Sequence, residues 1–75
     1  MELYTVRQVS QNHGVSARML RYYEQMGLLE SNRKDGYAYR VYDVENITRL
    51  QQIILLRKLQ IPVKHIKKFS LTKMP

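Results

Sequence analysis

The sequence predicts a mainly α fold of about four helices with a small two-stranded β-hairpin between the second and third. Three observations predict it. Apolar residues recur at helical spacing in successive short segments, each opened by Thr5, Ser16 or Asp43 as an N-cap. Gly14 and Gly27 stand where the first two helices must end. One aromatic and β-branched run, Tyr37, Ala38, Tyr39, Arg40, Val41 and Tyr42, follows the polar turn Asn32-Arg33-Lys34-Asp35-Gly36.

The first helix is set by Thr5 followed by Gln8, a capping box with Tyr4 placed to staple onto Val9, and runs from Val6 to about Asn12. Gly14 supplies the turn. Ser16 caps the second helix, with Val15 and Leu20 in the staple positions, and Gly27 ends it after Met26 in a left-handed cap. Met19, Leu20, Tyr23 and Met26 form its apolar face, while Arg18, Arg21, Tyr22 and Gln25 recur at i, i+3, i+4 and i+7 on the outward stripe. Arg can fork onto guanine or phosphate, Gln can pair with adenine, and a phenol can donate to a phosphate oxygen. The same stripe could be a solvated surface; the preceding helix and Gly turn, which project it from a compact body, favour a groove. Glu24, three residues after Arg21, reads as an exposed helical ion pair.

In the hairpin, Tyr39 and Val41 are expected to face the body, which turns Arg40 and Tyr42 outward as a backbone-gripping pair. Asp43 caps a longer third helix whose apolar positions Ile47, Leu50, Ile53, Ile54, Leu56 and Leu59 reach roughly Leu59. Pro62 starts a short fourth helix with Ile66 and Phe69 inward and Lys64, Lys67 and Lys68 outside, as a phosphate patch or simply solvated.

The 75 residues with 0 Cys make one small domain held by packed helices, without disulfides. Secretion is not expected from its start, and its apolar runs are too short to span a bilayer. The formal net charge is +7, but its placement is uneven. Seven basic side chains meet six acidic ones up to Leu56; Arg57, Lys58, Lys64, Lys67, Lys68 and Lys73 then follow with no acid. Nucleic-acid binding therefore has to be read from local pattern rather than net charge. Catalysis has no support: His13 and His65 stand apart, with neither a metal-ligand spacing nor a Gly-rich phosphate loop, so no enzyme activity, metal or cofactor is expected.

Tyr4-Thr5-Val6, Gly14-Val15-Ser16, Leu20-Arg21-Tyr22-Tyr23-Glu24, Gly27-Leu28-Leu29, Tyr39-Arg40-Val41-Tyr42-Asp43, Ile47-Thr48-Arg49-Leu50-Gln51 and Leu56-Arg57-Lys58-Leu59 together resemble the DNA-binding domain of the MerR family of bacterial transcription regulators. The resemblance covers nearly the whole chain. It implies a winged helix-turn-helix: helix-turn-helix over 5–27, hairpin wing over 28–42, and second-wing helices over 43–70. It also implies base contacts from Ala17 and Arg18, and backbone contacts from Thr5, Ser16, Arg21, Tyr22, Tyr39, Arg40, Tyr42 and Lys64. Ala38 and Gln60 stand where the family usually has Gly, and Lys64 and His65 where it commonly has an acidic pair.

Such regulators usually continue into a dimerisation helix and an effector-binding domain, neither of which is found before Pro75. They act as homodimers that twist promoter DNA so that RNA polymerase engages. The implied setting is cytoplasmic, on the nucleoid, and the implied partner is double-stranded promoter DNA. With no sustained heptad after Phe69, this chain by itself is expected to be monomeric. Two alternatives remain open: a short excisionase-like architectural DNA-binding protein, and a protein-interaction module presenting Tyr37, Tyr39 and Tyr42.

Overall fold

The computed structural model describes residues 3–32 and 40–67. Chain order is β1 (Leu3–Thr5), α1 (Val6–His13), α2 (Ala17–Gln25), β2 (Val41–Asp43), α3 (Val44–Lys58) and α4 (Val63–Ile66).

The caps read from the sequence are formed. Thr5 Oγ1 accepts the Gln8 amide at 3.1 Å while Gln8 Oε1 accepts the Thr5 amide at 2.9 Å, which satisfies two of the donors that a helix start leaves without partners. Gly14, at φ 66°, closes α1 with its amide on the Ser10 carbonyl. Ser16 Oγ accepts the Met19 amide at 3.0 Å to open α2. At the other end Gly27 donates to Glu24 and Leu28 to Tyr23, the paired bonds of a Schellman motif. Asp43 accepts the Asn46 amide at 3.0 Å and opens α3. That helix ends in a second Schellman motif, with Gln60 donating to Arg57 and Ile61 to Leu56. Its left-handed position is filled by Gln60 at φ 66°.

The sheet is assembled differently from the expected hairpin. β2 pairs antiparallel with β1, Thr5 opposite Val41 and Leu3 opposite Asp43. On its other side Val41 exchanges two 2.8 Å backbone hydrogen bonds with Asn32, which closes the base of the predicted wing. β2 thus lies between the N-terminal strand and the segment that reaches Asn32 from α2. Residues 33–39 of the predicted hairpin, Tyr37 and Tyr39 among them, lie outside the described residues, as does Phe69.

Val9, Leu20, Tyr23, Leu28, Leu29, Tyr42, Leu50, Ile53 and Ile66 form the buried core, flanked by partly buried Tyr4, Val15, Met26 and Ile47 among others. Each such side chain contributes about 1.5–3 kcal/mol through removal of apolar area from water. Three expectations are corrected. Tyr42 is 1% exposed and belongs to the core; Val41 is buried as well, because both faces of this short strand are covered and the inward-outward alternation does not apply. Met19, at 39% exposure, lies outside the core at the edge of the apolar face of α2. Leu59, at 63%, is also outside, since α3 ends there and the chain turns away through Gln60.

Candidate nucleic-acid interface

The outward stripe of α2 is exposed as its periodicity predicts. Ser16, Arg18, Met19, Arg21, Tyr22 and Gln25 line one open surface depression. Their chemistry is mixed: two guanidiniums, a phenol, a carboxamide and a thioether, set beside a helix N-terminus whose partial positive charge favours an anion. Tyr22 is 41% exposed and Tyr23 only 4%, although their rings are 6.3 Å apart, so adjacent tyrosines divide between surface and core.

A second depression is lined by Thr5, Val6, Arg7, Ser10, Gln11 and Ala17, across the two helices of the motif. Thr5 and Ala17 therefore share one concavity, and Arg18 lies in the next. Arg7, which the sequence reading passed over, adds an exposed cation beside Thr5.

Glu24 organises the far flank of α2. Its Oε1 accepts the Ser31 hydroxyl at 2.9 Å and the Arg40 Nη1 at 3.2 Å, and its Oε2 accepts the Tyr42 hydroxyl. The expected pair with Arg21 is replaced by this cluster, because Glu24 projects toward the loop and β2, where its side chain is only 16% exposed. Tyr42 is consequently an internal donor and not an outward backbone contact. Burial, then the bond to Glu24 and that carboxylate's charge, push its phenol far above the ordinary value of 10.0. Arg40, with 47% of its side chain exposed, is the member of the cluster that reaches solvent.

Below the cluster, Asn46 is 6% exposed and spends both ends of its amide: Oδ1 accepts the Glu30 amide at 2.8 Å and Nδ2 donates to Asp43 at 3.0 Å. Those two bonds from Asn46, side chain first, hold the Asp43 carboxyl below its ordinary value. Lys64 is exposed on α4 and lines neither depression. Just past α4, Lys67 Nζ lies 2.9 Å from where a Cβ on Gly27 would sit, beyond the C-terminal end of α2. Tyr39 lies outside the described residues.

Among the described residues no three His, Asp or Glu side chains gather to hold a metal ion, and no helix is long and apolar enough to cross a membrane.

Two helices joined through Gly14, the second with a polar outward face and a wing base hydrogen-bonded beside it, define a helix-turn-helix DNA-binding domain. The chain belongs to the MerR family: the model of the MerR HTH family regulatory proteins matches residues 4–72. It is 42% identical over 67 residues to the HTH-type transcriptional regulator SkgA of Caulobacter vibrioides, covering 89% of this chain and 26% of that protein. With the HTH-type transcriptional activator TipA of Streptomyces coelicolor it shares 35% identity over 63 residues, 84% of this chain and 25% of the other. The chain thus spans about a quarter of the length of these curated relatives.

Among solved structures, that of SkgA from Caulobacter crescentus superposes with a TM-score of 0.80 at 40% identity, covering 97% of this chain and 52% of that one. HiNmlR, a MerR family regulator lacking the sensor domain and bound to promoter DNA, superposes with a TM-score of 0.75 at 29% identity, covering 91% and 54%.

Proposed function

We propose that this chain binds double-stranded promoter DNA sequence-specifically, with α2 entering the major groove. The observation that carries this reading is the exposed stripe of Arg18, Arg21, Tyr22 and Gln25 on a helix projected by α1 and Gly14. In this reading Ala17 and Arg18 approach base edges, and Met19 offers an apolar contact of the kind a thymine methyl accepts. Thr5, Ser16, Arg21, Tyr22, Arg40 and Lys64 hold the phosphate backbone, and Tyr39 is given the same role on the family resemblance alone. Tyr42 is left out because it is buried.

The likeness to the DNA-bound HiNmlR supports the partner class. Joined to a dimerisation helix, the domain acts within a homodimer that distorts the promoter for RNA polymerase, in the cytoplasm on the nucleoid. By itself the chain is a monomer that holds one half-site.

The deciding experiment is duplex binding across a salt series with Arg18→Ala beside the parent chain. Binding that weakens steeply with salt, and a variant that loses about 1–3 kcal/mol on a selected site and discriminates less there, support the reading. Equal loss on every sequence makes Arg18 a phosphate contact. Salt-insensitive association with a protein in place of DNA supports the interaction module, although burial of Tyr42 removes one of the three tyrosines that such a surface would present.

A further inference from the structure

Glu24 is an acidic side chain on the helix read as entering DNA, where a free carboxylate would repel phosphate. Its oxygens are instead occupied by three donors from beyond α2, at sequence separations of 7, 16 and 18 residues. Ser31 and Tyr42 bring no charge, so they fix the carboxylate without neutralising it. Arg40 neutralises it and brings a side chain that is about half exposed, at 47%. An unrestrained arginine on a loop loses considerable rotamer freedom when it grips a phosphate. One whose Nη1 is already held has less to lose, and its planar fork keeps further donors for another anion.

We propose that Glu24 is a positioning residue for DNA binding: it fixes the Arg40 guanidinium against α2, so that helix and wing base present their cations to the duplex in one register. This rests on the reading of Arg40 as a phosphate contact. Two effects of opposite sign compete at Glu24. Its charge lowers the local attraction for DNA, and its geometry prepares Arg40. Glu24→Gln keeps the size and an acceptor while removing the charge, so the sign of its effect on affinity decides which dominates.

The test compares the parent 75-residue chain with Glu24→Gln, Arg40→Gln and the double variant. The probes are a duplex selected by the parent chain from a random pool and an unrelated duplex, each over a salt series. Arg40→Gln is expected to weaken binding and to reduce the salt slope by about 0.9, the signature of one phosphate contact. Glu24→Gln is expected to weaken the selected duplex roughly tenfold, as for loss of a charge-assisted hydrogen bond, despite gaining one unit of positive charge. The double variant should bind no more weakly than Arg40→Gln alone, because with no arginine to position only the repulsion from the Glu24 charge is removed.

Unchanged or tighter binding by Glu24→Gln, or additive losses in the double variant, would overturn the proposal while leaving Arg40 a contact. No effect of Arg40→Gln would overturn the contact and the proposal together. A purely structural role would lower the melting temperature of Glu24→Gln without making its effect on DNA depend on Arg40. If that variant does not fold, guanidinium NMR of the parent chain without DNA reads the same tether: slowed Nη rotation at Arg40 supports it, and rotation as fast as at the exposed Arg18 overturns it.

Discussion

Asn46 Oδ1 accepts the backbone amide of Glu30 at 2.8 Å, across 16 residues of sequence. One buried carboxamide therefore joins the segment after α2 to the first turn of α3, while its Nδ2 holds the carboxylate that caps that helix. Removing it leaves a part-buried amide without its acceptor. Asn46→Ala should destabilise by about 1–3 kcal/mol in denaturant melts. Asn46→Asp should also destabilise, because it keeps an acceptor for Glu30 but sets a second carboxylate against Asp43.

Acid should reach the same corner. The Asp43 carboxyl is held below 3.8 by its bonds from Asn46, so its contribution is complete above the ordinary carboxylate value and fades as pH falls through the lower folded value. The stability advantage of the parent chain over Asp43→Ala, about 1 kcal/mol at neutral pH for an N-cap, should shrink in that acid window. Melting both chains as pH is lowered reads the difference.

At the alkaline end the sign reverses. Burial and Glu24 keep the Tyr42 phenol neutral well beyond 10.0, so its contribution is complete below that pH and declines as pH rises above it toward the folded value. Tyrosinate absorbance of the folded chain should show a late-ionising phenol that is missing from Tyr42→Phe. Tyr23, raised by burial against the lowering effect of Arg57, should remain late in both.

Gln60 occupies a left-handed position, φ 66°, that a side chain reaches only with strain. Gln60→Gly should raise stability by up to about 1 kcal/mol with no change in the Schellman bonds around it. A lower melting temperature would mean that the glutamine side chain contributes more than its backbone conformation costs.

The neighbouring tyrosines of α2 separate stability from binding. Tyr23→Ala should cost about 3–5 kcal/mol, a large part of what holds a domain of this size. Tyr22→Ala should leave the melting temperature nearly unchanged and weaken duplex retention. A reversed pattern would contradict the rotation of α2 described above.

Local chemistry made most of the fold legible. Thr5 with Gln8, Ser16, Asp43 and the two glycines act within a few residues, so caps and turns could be placed from neighbours alone, and the 3.6-residue period separated Tyr22 from Tyr23. Partners distant in sequence were not legible. Nothing near Leu3 announces a strand, because the strand that pairs with it begins only at Val41, and Tyr42 reads as outward from alternation when both faces of β2 are in fact covered. Met19 and Glu24 lie at opposite borders of the apolar face of α2, where periodicity assigns neither side. Glu24 was matched to Arg21 because the pattern supplies neighbours along a helix, whereas its donors arrive from the following loop and strand.

The pairing of β1 with β2 also bears on how the chain finds its fold. Thr5 opposite Val41 closes a loop that contains the entire helix-turn-helix, and that closure forfeits chain entropy before any strand bond repays it. The capped helices need only local contacts, so α1, Gly14 and α2 can assemble while the ends remain apart, and the sheet completes afterwards. Substitutions at Leu3 or Val41 should then act mainly on the unfolding rate and those at Leu20 on the folding rate.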